Sequence, residues 1–161
     1  MKIKTWMMAI ITVVILLGGV GLSAALGHWK TSTDKQPAKI QSGEYAGQAN
    51  PADIRGSYTL KDISGSFGIP LEDLGRAFLP GNSAGWAAFQ VKDLKATYEN
   101  AGAANEIGTA SMRYFAALYV GIPGQQPAAL PQTAAEVLKE KAALTEDQLN
   151  ELEQYTVVLT E

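Results

Sequence analysis

Residues 6–26 are the part of this chain that most limits how it can fold. The run holds 21 residues without a charged side chain, and 16 of them are apolar. A helix of this length spans roughly 30 Å, the thickness of the hydrocarbon core of a bilayer. Trp6 and Trp29 flank the run, where aromatic rings favour the membrane interface. The sequence therefore predicts a transmembrane anchor over residues 6–27 of a single-pass membrane protein.

The flanks of the run predict its orientation. Lys2 and Lys4 precede it, and the positive-inside rule then places residues 1–5 in the cytoplasm and the rest of the chain outside it. The predicted localisation is the cell membrane, with an extracytoplasmic domain. The small residues at 23–25 also suit a signal-peptidase site, so a cleaved and secreted protein is the alternative.

Two further features of this segment are candidates for contact with a membrane partner. Small residues at four-residue spacing let transmembrane helices approach closely, although ordinary glycine content gives the same pattern. These candidate packing residues are Gly19, Ser23 and Gly27. His28 lies beside Trp29 at the expected interface, where interfacial anchoring and ligation of a partner's haem are both open interpretations.

The composition excludes most catalytic chemistry. Without cysteine the chain has no thiolate nucleophile, iron–sulfur ligand or Cys-type zinc site, and one histidine leaves little acid–base chemistry near neutral pH. The adjacent acids Glu72/Asp73 and Glu146/Asp147 fall in the first turns of predicted helices, where carboxylates stabilise the helix. The sequence therefore predicts no enzyme activity, no catalytic residue, no cofactor and no metal site.

Residues 59–78 resemble a DNA-binding helix-turn-helix of the LacI type. In such motifs the first turn of the second helix enters the major groove, yet here that turn contains Pro70, Glu72 and Asp73. From residue 31 onward the chain has sixteen acidic and ten basic residues, which disfavours a polyanionic partner. The sequence predicts a packing unit and no nucleic-acid partner, with DNA binding as a remote alternative.

The rest of the chain divides into a polar stretch and a helical domain. Residues 28–52 lack any sustained hydrophobic period, which predicts a polar tether. Over residues 53–161 helix signals recur, including capping boxes that begin at Thr59, Thr133 and Thr145. The predicted fold class is all-α: a transmembrane helix, the tether, and a compact domain of five or six short helices that includes the helix-turn-helix-like pair.

The order of short motifs between residues 53 and 156 resembles an uncharacterised bacterial helical domain. The matching stretches are DIRGSYTL at 53–60, GIPLEDL at 68–74, EIGT at 106–109, FAALY at 115–119 and AEVLKEK at 135–141. That domain occurs in membrane proteins of anaerobes, attached to NapH/NosR-like 4Fe-4S polyferredoxins or to membrane cytochrome-like segments. The resemblance implies association with electron-transfer machinery. Because this chain lacks the cysteines of cluster-bearing members, it implies an accessory role.

These observations predict a non-catalytic accessory or docking subunit of a membrane electron-transfer complex, which binds a membrane protein partner. The candidate partner-binding residues are Arg55, Arg113, Trp86, Phe89 and Tyr114. Helix packing for Arg113 and core filling for the aromatic residues are open alternatives. The alternative function is an extracytoplasmic small-ligand-binding or sensory module. Its pocket is expected between the helix at 109–122 and the helix-turn-helix, lined by the small residues Gly65, Gly75, Ala116 and Ala117.

Overall fold

The chain divides into two units, Met1–Asp34 and Lys35–Glu161, and each is considered by itself. The computed structural model describes residues 6–8, 12–15, 18, 35–81, 84–99 and 106–158. In the first unit the described residues are helical, and the hydroxyl of Thr12 donates a hydrogen bond to the carbonyl of Met8 at 3.0 Å. The candidate residues Gly19, Ser23, Gly27 and His28 lie outside the described part.

The predicted transmembrane anchor is contradicted by the structure. Among the residues it describes, none of the helices combines the length and the apolar character needed to cross a membrane. The predictions of a transmembrane helix at 6–27, a signal anchor and a single-pass cell-membrane localisation are therefore wrong. A span needs about 20 consecutive helical residues, and the described helical residues of this segment do not form a run of that length.

The second unit is mostly helical. In chain order its described α-helices are α1 (Leu60–Phe67), α2 (Leu71–Phe78), α3 (Leu94–Thr97), α4 (Thr109–Val120), α5 (Gln132–Lys141) and α6 (Glu146–Tyr155). Short 3-10 turns lie at Pro51–Asp53, Trp86–Ala88 and Val91–Asp93. The strands β1 (Leu130–Pro131) and β2 (Thr156–Val157) pair in parallel, with Leu130 opposite Thr156. This strand pair departs from the all-α prediction. The sequence did not predict it because two-residue strands are too short to show an alternating pattern.

Local capping sets the ends of the first helix. The hydroxyl of Thr59 accepts a hydrogen bond from the Asp62 amide at 3.2 Å, and the Asp62 carboxylate accepts one from the Thr59 amide at 2.8 Å. Gly68 ends α1 with a φ of 68°, a left-handed conformation that glycine adopts without strain. The predicted helix boundaries at Thr59 and Gly68 are confirmed.

The other two predicted capping boxes have different outcomes. Thr145 and Gln148 form the reciprocal hydrogen bonds of a capping box at the start of α6, as predicted. The predicted box at Thr133 is wrong, because α5 begins at Gln132 with Pro131 as its N-cap, two residues before the predicted cap. The Thr133 hydroxyl instead donates a hydrogen bond to the Ala77 carbonyl at 2.7 Å, and so ties α5 to α2.

The hydrophobic core lies around α2. This helix makes its most extensive contact with α5 and also packs against α1. Phe78 of α2 meets Phe115 of α4 edge to face, with ring centroids 5.1 Å apart. The hydroxyl of Tyr98 donates a hydrogen bond to the Phe78 carbonyl at 2.7 Å inside this core. Burial raises the pKa of Tyr98 to about 12, because a phenolate would lose its hydration there.

Residues 35–50, expected to be part of a tether, belong to the second compact unit. The Ile40 amide donates a hydrogen bond to the Gln48 carbonyl at 2.9 Å, and the Asn50 amide donates one to the Ala38 carbonyl at 2.8 Å. The Ala38 amide donates to the Asp53 carboxylate at 2.8 Å. Because these contacts join backbone groups to each other and to one carboxylate, they leave no hydrophobic period in the sequence. The ordered unit therefore begins well before residue 53.

Candidate functional site

The two candidate arginines hold chain segments in place. Arg113 is half-buried on α4, and its Nε donates a hydrogen bond to the Ile54 carbonyl at 2.9 Å. Arg55 is exposed, and its Nη2 lies 3.2 Å from the Asp53 carboxylate. The hydrogen bond from the Ala38 amide, and then the one from Arg55, lower the pKa of Asp53 below its usual value. Arg113 thus ties α4 to the chain at Ile54, whereas Arg55 forms an exposed ion pair with its neighbour Asp53.

Tyr114 is buried, so its ring offers no surface to a partner. Its hydroxyl donates a hydrogen bond to Glu151 Oε2 at 2.9 Å, which ties α4 to α6. Burial, with the nearby Glu151 carboxylate, raises the pKa of Tyr114 well above its usual value. The sequence could not exclude this placement, because α4 is apolar on nearly all sides and its inward face has no clear boundary.

Trp86 and Phe89, two of the candidate partner-binding residues, lie on the same surface. They border an open groove of about 890 Å³, named here the Trp86 groove. Its apolar wall consists of Phe78, Leu79, Pro80, Trp86, Phe89, Tyr98 and Pro131. Ala84 and Gly85 and the polar side chains of Thr97, Gln132, Thr133 and Glu136 complete the described lining, and Glu136 is the one charged residue in it. A volume of this size suits a ligand or a short peptide segment.

Gly75 determines how Trp86 sits in the fold. A Cβ atom built on Gly75 would overlap the indole ring of Trp86, so the ring lies directly on the backbone of α2. Glycine inside a helix costs about 1 kcal/mol relative to alanine, and the contact with the indole gives this glycine a structural purpose. The indole Nε1 is buried and has no hydrogen-bond partner within the described part of the chain.

A polar cluster around the buried Asp73 was missed at the level of sequence. The hydroxyl of Tyr119 donates a hydrogen bond to Asp73 Oδ2 at 2.6 Å, and Asp73 is only 6% exposed. Burial, and then the hydrogen bond to Asp73, raise the pKa of Tyr119 to about 12. Arg76 Nη1 lies 3.9 Å from Asp73 Oδ1, and Arg76 Nη2 lies 3.0 Å from Glu140 Oε2. The three-residue spacing of Asp73 and Arg76 on one helix was the available signal.

A second cavity, of about 630 Å³, lies where residues 35–49, α1 and the end of α4 meet; it is named here the lysine cavity. Its described lining includes Lys35, Lys39, Lys61, Asp62 and Gly65, together with Pro37, Phe67, Val120 and Ile122. Of the four small residues expected to line a pocket, Gly65 borders this cavity. Gly75 is covered by Trp86, and Ala116 and Ala117 are buried.

The helix-turn-helix forms as a packed pair, with α1 ending at Phe67 and α2 beginning at Leu71. The most extensive contact of α2 is with α5, and its first turn holds an exposed Glu72 and the buried Asp73. This arrangement offers little to a polyanion. No group of three or more His, Asp or Glu side chains in the described ranges is placed to hold a metal ion.

Comparisons with known proteins found no match for this chain among family models, curated proteins or solved structures. The resemblance to the bacterial domain of anaerobe membrane proteins therefore stays a prediction.

Proposed function

We propose that this protein is a non-catalytic docking module, which binds an extended segment of a partner protein in the Trp86 groove. The observation that carries the proposal is the lining of the groove: aromatic and proline side chains form an open apolar wall, and one carboxylate stands at its rim. Aromatic residues at a groove supply much contact area at low entropic cost, which is why docking sites favour them.

The chemistry of the groove defines the occupant. Aromatic-lined grooves bind extended proline-containing segments, because such segments lose little conformational entropy on binding. Glu136 is exposed and makes no ion pair with any described basic residue, although Gln132 Nε2 donates a hydrogen bond to its Oε1 at 2.8 Å. A lysine or arginine of the partner is the natural partner for this carboxylate. The occupant is therefore an extended segment with proline or aromatic residues and a nearby basic residue.

The partner protein is proposed to be a subunit of a membrane electron-transfer complex. This part of the proposal rests on the resemblance alone. The lack of cysteine in the chain supports a role as an accessory that carries no cluster of its own.

Selection from a displayed library of random peptides tests the proposal. The full chain should enrich peptides that combine proline or aromatic residues with a lysine or arginine, and saturating peptide should shift the NMR signal of the Trp86 indole. Glu136→Lys should weaken binding of a selected peptide by about tenfold, since attraction becomes repulsion. Glu44→Lys is the matched control, because it makes the same charge change at an exposed residue outside the groove lining.

The proposal fails if no peptide is enriched over background. It also fails if the selected peptides bind Glu136→Lys and the unchanged protein equally well. Cross-linking from Ala84, an exposed residue of the groove lining, to a redox subunit in native membranes would support the identity of the partner. A cross-link only to proteins outside such complexes would contradict that identity while leaving the docking function intact.

A further inference from the structure

We propose that the lysine cavity is a second binding site, which takes a small organic anion: a carboxylate or phosphate group joined to an apolar body. The site is separate from the Trp86 groove, since the described lining residues of the two cavities do not overlap. The proposal therefore does not depend on the docking function.

The positive charge at this cavity is concentrated, and none of it is paired with a described acid. The described residues include ten basic side chains, seven lysines and three arginines. Five of the ten form ion pairs with nearby acids. Four described lysines form no ion pair with any described acid, and three of these four line the cavity: Lys35, Lys39 and Lys61. They come from two parts of the chain, so the fold brings them together. In a protein with a net charge of −3 this clustering is a local exception.

The one acidic residue of the described lining is already engaged. The Asp62 carboxylate accepts the hydrogen bond from the Thr59 amide at 2.8 Å, as part of the capping box of α1. The cap uses Oδ2 of this carboxylate, and Asp62 forms no ion pair with any described lysine. The described lining thus carries three positive charges against one negative charge.

Helix ends also border the cavity and give the lysines a competing purpose. Residues 65–67 end α1 and Val120 ends α4, and the carbonyls at a helix C-terminus carry partial negative charge that attracts lysines. Part of this charge is satisfied within the fold, because the Ser64 carbonyl accepts from the Gly68 amide and the Ala117 carbonyl accepts from the Ile122 amide, both at 2.9 Å. The three positive charges of the lysines together exceed the partial negative charge that remains at these helix ends.

The walls of the cavity explain why the anion should have an apolar body. Pro37 and Ile122 are buried and Phe67 and Val120 are half-buried, so an apolar surface stands beside the lysines. Inorganic phosphate would leave that surface uncovered. The volume of about 630 Å³ lies within the range of small-molecule sites in proteins.

Titration of the full chain with phenyl phosphate tests the site, with binding followed by amide NMR shifts at residues 39, 61 and 67. Phenyl phosphate should bind saturably with a Kd of about 1 mM or tighter, while the neutral analogue benzyl alcohol should bind at least about tenfold more weakly. Lys61→Gln should weaken binding by about fivefold, as expected for one partly exposed charge contact. Lys92→Gln is the matched control, because Lys92 is exposed, unpaired among the described residues and outside the cavity lining.

Three outcomes would overturn the proposal. The first is a lack of saturable binding of phenyl phosphate. The second is equal binding by Lys61→Gln and Lys92→Gln. The third is a fall in Tm for Lys61→Gln and Lys39→Gln without anion binding, which would assign the lysines to the helix ends. A selected peptide should bind Lys61→Gln as it binds the unchanged protein, so failure here and failure of the docking function are distinguishable.

Discussion

Gly75 is the residue on which the position of Trp86 most directly depends. In Gly75→Ala the new methyl group would overlap the indole ring, so Trp86 must move or α2 must shift. Overpacking of this kind costs about 1–3 kcal/mol, and we expect the free energy of unfolding in urea to fall by that amount. Binding of a groove-directed peptide should weaken in the same variant, because Trp86 forms part of the groove wall.

Gly65→Ala is the matched control for this prediction. Gly65 also lies inside a helix, but nothing lies within 4 Å of a Cβ built on it. Alanine there should be neutral or stabilise the protein by about 0.5–1 kcal/mol. Equal stability of the two variants would show that Gly75 and Trp86 are not in close contact.

Tyr119 determines whether Asp73 can stay buried. Tyr119→Phe removes the donor that lies 2.6 Å from the Asp73 carboxylate, and Arg76 at 3.9 Å is too distant to replace that hydrogen bond. A buried acceptor left without its partner costs about 1–3 kcal/mol, so urea unfolding should show a loss of that size. Tyr155→Phe, at a half-buried tyrosine, should change stability by less than about 0.5 kcal/mol. Losses of equal size in both variants would refute the importance of this hydrogen bond.

Residue positions of this kind separate what a sequence can predict from what it cannot. The capping partners Thr59 and Asp62 are three residues apart, and the sequence pattern was enough to find them. Arg113 meets a carbonyl 59 residues away and Tyr119 meets a carboxylate 46 residues away. Such pairs depend on how helices are placed in space, and neither local propensity nor periodicity carries that information. The same limit explains Thr133, whose partner is on α2.

At the scale of elements, the segment 35–50 is held to the helical part by Asp53. Asp53→Ala removes the acceptor for the Ala38 amide, and the amides of Ala38 and Asn50 should then exchange with solvent faster, while those of α4 keep their rates. Arg55→Ala is the control, because it leaves the hydrogen bond to Ala38 in place. Hydrogen exchange followed by NMR measures both, and unchanged rates in Asp53→Ala would contradict this role.

The same contact should respond to acid. The Ala38 amide, and then Arg55, lower the pKa of Asp53 in the folded chain below 3.8. The ionised carboxylate therefore stabilises the fold at any pH above the pKa that Asp53 has in the unfolded chain. That stabilisation is lost as the pH falls through the lowered pKa. Exchange at Ala38, corrected for the intrinsic dependence on pH, should therefore rise selectively in acid.

Elements were predictable from the sequence in proportion to their length and capping. The pair α1 and α2 carries a capping box, a left-handed glycine and an apolar face, and each of these is a local signal. The segment 35–50 and the strands β1 and β2 carry none of them, because backbone hydrogen bonds and, for the segment, the Asp53 carboxylate hold them in place. The Trp86 groove involves both local signals and long-range contacts. Its residues Trp86 and Phe89 were singled out from the sequence, whereas its shape depends on the contact between Trp86 and Gly75.

At the scale of the whole molecule, composition was informative about chemistry and misleading about the first unit. The lack of cysteine limits the possible chemistry of any fold, since it removes functional groups. The apolar run at 6–26 supported a prediction of a spanning helix, which also requires continuous helical structure. Among the described residues no helix meets that requirement.

Alkaline pH should destabilise the helical unit through its buried tyrosines. Burial raises the pKa of Tyr98 and of Tyr119 to about 12, whereas an unfolded tyrosine titrates near 10. The stability contributed by their neutral form is therefore complete below about pH 10 and is lost as the pH rises from about 10 through 12. Urea unfolding at about pH 8 and about pH 11 should show a fall in the free energy of unfolding. The fall should be smaller in the double variant Tyr98→Phe/Tyr119→Phe than in the unchanged protein. In Tyr45→Phe it should be as large as in the unchanged protein. An equal fall in all three proteins would assign the effect to other groups, because the phenols of Tyr98 and Tyr119 are absent from the double variant.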